Sequence, residues 1–375
     1  MKKVLIIHTS LNGGGAERVL IDLLRHIDKR SYAIDLLLVY GGGVYLDDIP
    51  EGINYLGSIF TEGHAFPLWR RVLSVLGIVR KYRKKDIENL VAGHYDTIVS
   101  FMESRPVKYH SFIMDRADRN VTWVHIDMLS NHWTRFAFDS DVEEERIYNR
   151  MDSIVFVSEG IRDTFNRQFD IKDKSKETVI YNTLDKERIL RNADIPVSGT
   201  GEGSGFPIIA VGRLVPQKNF ERLLEAASIL HGKGLDFSLE IIGEGPLRAT
   251  LEKRIQAAGL ENRVKLPGYC RNPYPHIKNS KLVVSSSDSE GLPTVICEAF
   301  ILGRPVVATD IPANRELLGP SEYGILTDCN AEALANGMER MITEPDTCKK
   351  YAQLSLERSG LFSIEKTLSE VYSIL

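Results

Sequence analysis

Cysteine is scarce in this chain of 375 residues. It has four, Cys270, Cys297, Cys329 and Cys348, all in the last third and none forming a CxxC pair. That pattern fits neither a zinc site nor a disulfide framework, so a reducing cytoplasm is the expected compartment. Long apolar runs are missing too. No window reaches the ~18 uninterrupted apolar residues of a membrane-spanning helix. The first apolar run, Val4-Leu5-Ile6-Ile7, is too short for a signal-peptide core and is closely followed by Asn12-Gly13-Gly14-Gly15. Neither export by that route nor an integral membrane position is expected. No charge of one sign dominates: the net charge is −4 and the pI about 6.2, which argues against whole-surface attraction to nucleic acid.

What is present is the balance of a soluble globular protein, 43% hydrophobic and 26% charged, at a length that suggests two domains. Such a chain buries sizeable cores without disulfides or metals. Short apolar runs alternate with amphipathic segments throughout. Val4–His8, Ile34–Val39, Thr97–Phe101, Val121–His125 and Ile154–Ser158 read as buried parallel strands, with helical spacing over Glu17–Ile27 and Val72–Asn89. The second half repeats the pattern. Strands are expected at Ile208–Val211, Ser238–Ile242, Val264–Leu266, Leu282–Ser285, Val306–Ala308 and Gly324–Leu326. Helices are expected at Phe220–His231, Gly245–Ala258, Thr294–Leu302 and Ala331–Thr343. Alternation of this kind builds doubly wound α/β sheets.

A Gly-, Ser- and Pro-rich stretch divides the halves and reads as a loop or linker. The division is therefore 1–192, an N-terminal domain; 193–207, a linker; 208–357, a second domain; and 358–375, a C-terminal amphipathic helix whose host domain nothing local identifies. Two similar α/β domains on a hinge lead one to expect a ligand cleft between them.

Two windows carry chemistry. In Ser285–Ala299 a buried strand ends in a polar loop, and Pro293 stands where a helix begins, its missing N–H costing nothing there. The free N–H groups of Gly291, Leu292 and the residues after them then point toward an anionic or oxygen-rich ligand. Glu290 before the helix and Glu298 inside it are suited to flank one ligand, each accepting from a diol. The alternative is a capped core helix with one solvated Glu and one in a local ion pair. In Val211–Asn219 a strand runs into a turn bearing Arg213 and Lys218. A planar fork and a flexible point charge suit a diphosphate; two exposed basic residues on a loop are the plainer alternative.

Together these windows resemble the family 4 glycosyltransferases of the GT-B fold, and the resemblance spans nearly the whole chain. It includes Gly13-Gly14-Gly15-Ala16-Glu17-Arg18, His125-Ile126-Asp127, Ser158-Glu159, Tyr181-Asn182 and Gly212-Arg213 with Lys218. It continues through Gly243-Glu244-Gly245-Pro246-Leu247, the Glu290…Glu298 pair and Gly303-Arg304-Pro305-Val306-Val307-Ala308. Each is weak alone; their order and spacing are specific. The resemblance is closest to bacterial members that build capsular, lipopolysaccharide or lipid-linked glycans.

The resemblance implies two Rossmann-like domains, the first binding the acceptor and the second a nucleotide-sugar donor, UDP-linked more often than GDP-linked. It implies that Arg213 and Lys218 neutralise the donor diphosphate and that Glu298 accepts from the ribose. Glu290, with the N–H groups of Gly291 and Leu292 at the Pro293-Thr294 helix start, would hold the sugar hydroxyls. His125 would sit near the transferred sugar, Tyr269 and Cys270 would meet the base through backbone groups, and Gly14 and Gly15 would let the first turn approach the sugar or acceptor closely. Family members retain the anomeric configuration, the leaving phosphate helping to remove the acceptor proton. Electrostatic stabilisation of that leaving group is then a major catalytic factor. From the residues alone, His125 also reads as a strand-end histidine and Gly13–Gly15 as a tight turn.

No cofactor or metal is expected. Asp139-Ser140-Asp141 matches an Asp-x-Asp metal motif of another glycosyltransferase fold, but Glu143-Glu144-Glu145 beside it makes acidic solvated surface the reading. GT-B enzymes generally need no bound metal. Residues 66–85 hold seven basic residues and no acid among apolar positions. Such a segment suits docking on an anionic membrane at the inner face of the cell membrane, toward a glycan or polyprenyl-linked acceptor; an ordinary helix with a basic face is the alternative. A nucleotide-sugar epimerase and a non-catalytic nucleotide-sugar-binding subunit remain competing readings. A nicotinamide enzyme does not, because no clean GxGxxG with a downstream acid follows the first strand. The sequence names neither the sugar nor the acceptor.

Overall fold

The computed structural model describes residues 1–61, 82–130, 132–196 and 205–375. Every strand expected from an apolar run is a strand in it, because in a parallel sheet covered on both faces such a run has nowhere else to go. The first unit comprises Met1–Leu184 with Ser363–Leu375, the second Asp185–Phe362.

The first unit carries seven parallel strands: β1 (Lys2–His8), β2 (Tyr32–Tyr40), β3 (Ile53–Phe60), β4 (Tyr95–Ser100), β5 (Ala117–Val124), β6 (Ser153–Phe156) and β7 (Glu177–Val179), in spatial order β3-β2-β1-β4-β5-β6-β7. The second carries β8 (Phe206–Val211), β9 (Phe237–Ile242), β10 (Val264–Gly268), β11 (Leu282–Ser285), β12 (Val306–Thr309) and β13 (Ile325–Thr327), in order β10-β9-β8-β11-β12-β13. Each sheet grows outward in both directions from a central pair, β1 beside β4 and β8 beside β11. At such a switch point the carboxyl ends of the two strands frame a crevice.

Two strands escaped the sequence reading, β3 and β7. Both lie at sheet edges, and their residues are mostly half-buried, so neither has the continuous apolar run of a central strand. The helix expected from Gly245 starts only at Arg248, since the segment before it turns back against the loop after β8. Helix Phe220–Gly232 opens on Asn219, whose side chain accepts from the Arg222 N–H.

The boundary between units falls at Leu184, before the Gly- and Ser-rich stretch. Helix Lys186–Ala193 buries Arg188, Ile189 and Ala193, and Arg188 donates to the Tyr274 hydroxyl at 3.3 Å. Asn272 Nδ2 donates to Asn192 O at 2.9 Å, which ties this helix into the second unit. Of the expected linker 193–207, residues 197–204 lie outside the described residues, as do residues 66–81 of the candidate membrane segment. Among its described residues, Arg83 pairs with Asp86 and Lys84 with Glu88. The C-terminal helix, Ile364–Ile374, belongs to the first unit, where Tyr372 stacks on Tyr32 and Thr97 donates to Leu375 O at 2.8 Å. Among the described residues no helix is long and apolar enough to cross a membrane.

Candidate active site

Both sequence windows lie at the switch point of the second sheet. The chain leaves β8 at Val211 into Gly212-Arg213 and leaves β11 at Ser285 into the polar loop ending at Pro293. β8 and β11 are neighbours, so segments far apart in sequence meet at one edge.

Their meeting is specific. Lys218 Nζ donates to Glu290 Oε1 at 2.5 Å, and Ser287 Oγ donates to the same oxygen at 2.6 Å. Glu290 Oε2 is left without a hydrogen bond among the described residues. The loops are clamped on both sides of this pair. Gln217 Nε2 donates to Ser289 O at 2.7 Å, Asp288 N to Gln217 O at 2.9 Å, and Ser286 Oγ to Lys218 O at 2.8 Å. Arg222, from the first turn of helix Phe220–Gly232, donates to Ser286 O and to the Asp288 carboxylate. Thr309, at the end of β12, donates to Ser287 O at 2.6 Å. Side chains so held keep one geometry, which a ligand can exploit without ordering them first.

Arg213 stands on the same loop as Lys218. It is exposed and makes no ion pair with any described residue. Gly291, Leu292 and Pro293 are buried, and helix Thr294–Ile301 starts directly after them, with Thr294 half-buried and Glu298 buried on it. The N-terminal end of this helix carries the positive end of its dipole.

The loops after β8, β9 and β10 are laced together through backbone groups. Gly212 N donates to Ile242 O, Leu214 N to Glu244 O, and Gly243 N to Gly268 O, all at 2.9–3.0 Å. A Cβ on Gly243 would lie 1.8 Å from Gly212 O, so the Gly-Glu-Gly run is required by close backbone approach. Tyr269, 45% exposed, and half-buried Cys270 follow Gly268 at that edge.

In the first unit, His125 lies just beyond β5 and is buried. Burial pulls its imidazole down to about 3. Gly14 caps helix Gly15–His26 after Gly13, whose φ of 104° only glycine adopts freely. The Asp-x-Asp stretch is used locally. Ser140 caps helix Asp141–Asn149 by accepting from Glu143 N, and Arg135 grips the Asp141 carboxylate with two hydrogen bonds at 2.9 and 2.7 Å.

The sequence reading missed Ser287, Asn219, Arg222 and Asp288 in the second unit, and His8 and Glu103 in the first. The polar run Ser285–Glu290 was a signal for the former; nothing local marked the latter.

Comparison with known proteins bears on the family and the fold. Residues 199–357 match the family described as glycosyl transferases group 1. The chain is 29% identical, over the full length of both proteins, to the Campylobacter jejuni N-acetylgalactosamine-N,N'-diacetylbacillosaminyl-diphospho-undecaprenol 4-alpha-N-acetylgalactosaminyltransferase. Its fold is similar to that of Anabaena HepE solved with UDP and glucose, with a TM-score of 0.77 at 21% identity, covering 100% of this chain and 99% of that one. Sucrose-phosphate synthase from Thermosynechococcus elongatus superposes equally well, TM-score 0.77 at 16% identity, covering 100% and 98%. The fold is thus two Rossmann-like α/β units of the GT-B kind. The family match and the names of the relatives support glycosyltransferase activity.

Proposed function

We propose that the chain is a retaining, family 4-type glycosyltransferase. It moves a hexose or N-acetylhexosamine from a nucleotide-diphosphate sugar, preferably a UDP-sugar, to a glycan or polyprenyl-linked acceptor in cell-surface polysaccharide synthesis. The observation that carries this reading is the clamped convergence of the loops after β8 and β11, which brings Lys218 within 2.5 Å of Glu290 beside the start of a helix.

Each role follows from the chemistry of the group. Arg213 and Lys218 supply the positive charge that a departing diphosphate needs, and such preorganised charge is worth most where charge develops in the transition state. Glu290 keeps one carboxylate oxygen for a sugar hydroxyl. Gly291, Leu292 and Thr294 offer main-chain N–H groups, and Glu298 accepts from the ribose. Backbone groups of Tyr269 and Cys270 meet the base. His125, with Gly14 and Gly15, serves the sugar and acceptor from the first unit. The name of the Campylobacter relative, a 4-alpha-transferase acting on a diphospho-undecaprenol glycan, supports the acceptor class. Docking through residues 66–85 on an anionic membrane fits such an acceptor, and flotation with anionic liposomes tests it. No divalent metal enters this mechanism, so transfer is expected to persist in EDTA; a loss that manganese restores would count against it.

The test is a panel of UDP- and GDP-sugars, screened by thermal stabilisation and then by nucleotide release. A ligand selective for the folded state raises the apparent stability. One or a few donors are expected to stand out, and stabilisation by none would refute the reading.

A further inference from the structure

The first unit buries titratable side chains that the donor site does not use. β1, β4 and β5 are adjacent strands, and at their carboxyl ends stand His8, Glu103 and His125, the two histidine rings lying against Phe101. His8 Nδ1 lies 3.2 Å from Phe101 O, and the rings of Phe101 and His125 are 5.2 Å apart. His8 and Glu103 are 0% exposed and His125 7%. Glu103 Oε2 accepts from the main-chain N–H of His125 at 2.9 Å. Glu103 Oε1, His8 Nε2, His125 Nε2 and Ser104 Oγ are buried with no hydrogen-bond partner among the described residues. Folded proteins rarely leave so many buried polar atoms unpaired in one place without a functional reason. Ser104, next to Glu103, is also held at a φ of 71°, a conformation unfavourable to any residue but glycine.

We propose that Glu103 is a positioning residue for sugar transfer, fixing His125 through its main-chain N–H and doing so fully only when its carboxyl group is ionised. An ionised acceptor binds an N–H more strongly than a neutral one, so ionisation tightens the placement of His125. The inference rests on the reading that His125 serves the transferred sugar. Burial pushes the Glu103 carboxyl up to about 7, the His125 N–H opposes that rise, and the Glu144 and Glu17 carboxylates add to it. Glu17 comes from helix Gly15–His26 and Glu144 from helix Asp141–Asn149. The two imidazoles beside Glu103, His8 and His125, are drawn down by burial to about 4 and 3 and stay neutral where Glu103 titrates. Glu103 therefore changes charge in the physiological range while the two imidazoles do not.

The experiment compares the full chain with Glu103→Gln, Glu103→Ala and His125→Ala. It uses whichever UDP- or GDP-sugar supports the fastest nucleotide release, and records release rate against pH and nucleotide affinity by calorimetry. The wild-type rate is expected to rise about tenfold from roughly pH 6 to roughly pH 8. Glu103→Gln keeps an acceptor for the His125 N–H and so keeps the fold. Its rate is expected to stay flat at the low-pH wild-type value. Glu103→Ala should be slower by about 100-fold at every pH. Nucleotide affinity should change by less than about twofold in all variants, because a positioning loss falls on turnover. A Glu103→Gln enzyme that keeps the wild-type rate and pH rise would overturn the proposal. An unchanged rate in His125→Ala would instead overturn the role of His125, and nucleotide release from no donor would overturn the transferase reading itself.

Discussion

Lys218 and Glu290 are 72 residues apart in sequence, yet the ammonium of one lies 2.5 Å from a carboxylate oxygen of the other. The pair sits at the carboxyl ends of adjacent strands, with one-fifth or less of each side chain exposed. A diphosphate entering there would compete with Glu290 for the ammonium, so the loss on removing Lys218 depends on how much charge the ligand carries. In the proposed transfer, charge on the departing diphosphate grows during the reaction. Lys218→Ala is therefore expected to lower turnover by about 100-fold or more and donor affinity by less than about tenfold. Steady-state kinetics with donor titration decides it; intact turnover with weakened donor binding would contradict the assigned role.

Gly243 offers a test of the loop framework rather than of the charges. The new methyl of Gly243→Ala would meet the Gly212 carbonyl oxygen at 1.8 Å, and both partners are backbone that neighbouring loops hold in place. A cost of about 3 kcal/mol is expected, with weakened nucleotide binding because Arg213 follows Gly212 directly. Thermal unfolding measures it, and a melting temperature like that of the wild type would show that these loops are not packed as described.

Acid should destabilise the first unit. Burial draws His8 and His110 down to about 4 and His125 to about 3, from 6.5 in the unfolded chain. A depressed folded value means that the stability is present above 6.5 and lost as pH falls toward those values. Each histidine then contributes about 1 kcal/mol per pH unit over that window. Glu103 acts in the opposite sense. Its carboxyl is raised from 4.5 to about 7, so its share is present below 4.5 and lost as pH rises to 7. Urea midpoints should fall between roughly pH 6.5 and 5, with a slope near that of two net protons. His110→Gln should remove about 1 kcal/mol per pH unit of that slope, whatever its effect at neutral pH. An unchanged slope would place His110 in contact with water.

The C-terminal helix should matter to the first unit through Tyr372. Its ring stacks on Tyr32 with centroids 5.2 Å apart and planes within 6°, and its hydroxyl accepts from Asp28 N at 2.8 Å. Tyr372→Phe removes one acceptor and should cost about 1 kcal/mol. Tyr372→Ala also removes the ring and should cost about 3 kcal/mol. Chemical denaturation followed by Tyr and Trp fluorescence tests the pair, and equal effects of the two substitutions would deny the stacking any weight.

Much of the fold was legible because central parallel strands need continuous apolar runs, and such runs as Val4–Ile7 and Leu282–Val284 appear in any reading of the chain. The edge strands β3 and β7 were not, since a half-buried strand needs no such run. Residues 186–192 read as the end of the N-terminal domain, because the attachment of helix Lys186–Ala193 to the second unit depends on Tyr274 and Asn272, far along the chain.

The sequence by itself determined the residue types of the candidate site and their local setting: two cations after one strand, two acids around a helix start after another, and glycines at the close turns. Strand ends and helix starts are local features, governed by neighbouring residues. Only the tertiary structure decided that β8 lies beside β11, which puts Lys218 on Glu290, and that β1, β4 and β5 gather His8, Glu103 and His125. Strand order is set by the packing of helices on both faces of a sheet. Which loops become neighbours, and which buried groups go unpaired, is therefore fixed by contacts between residues that no local pattern connects.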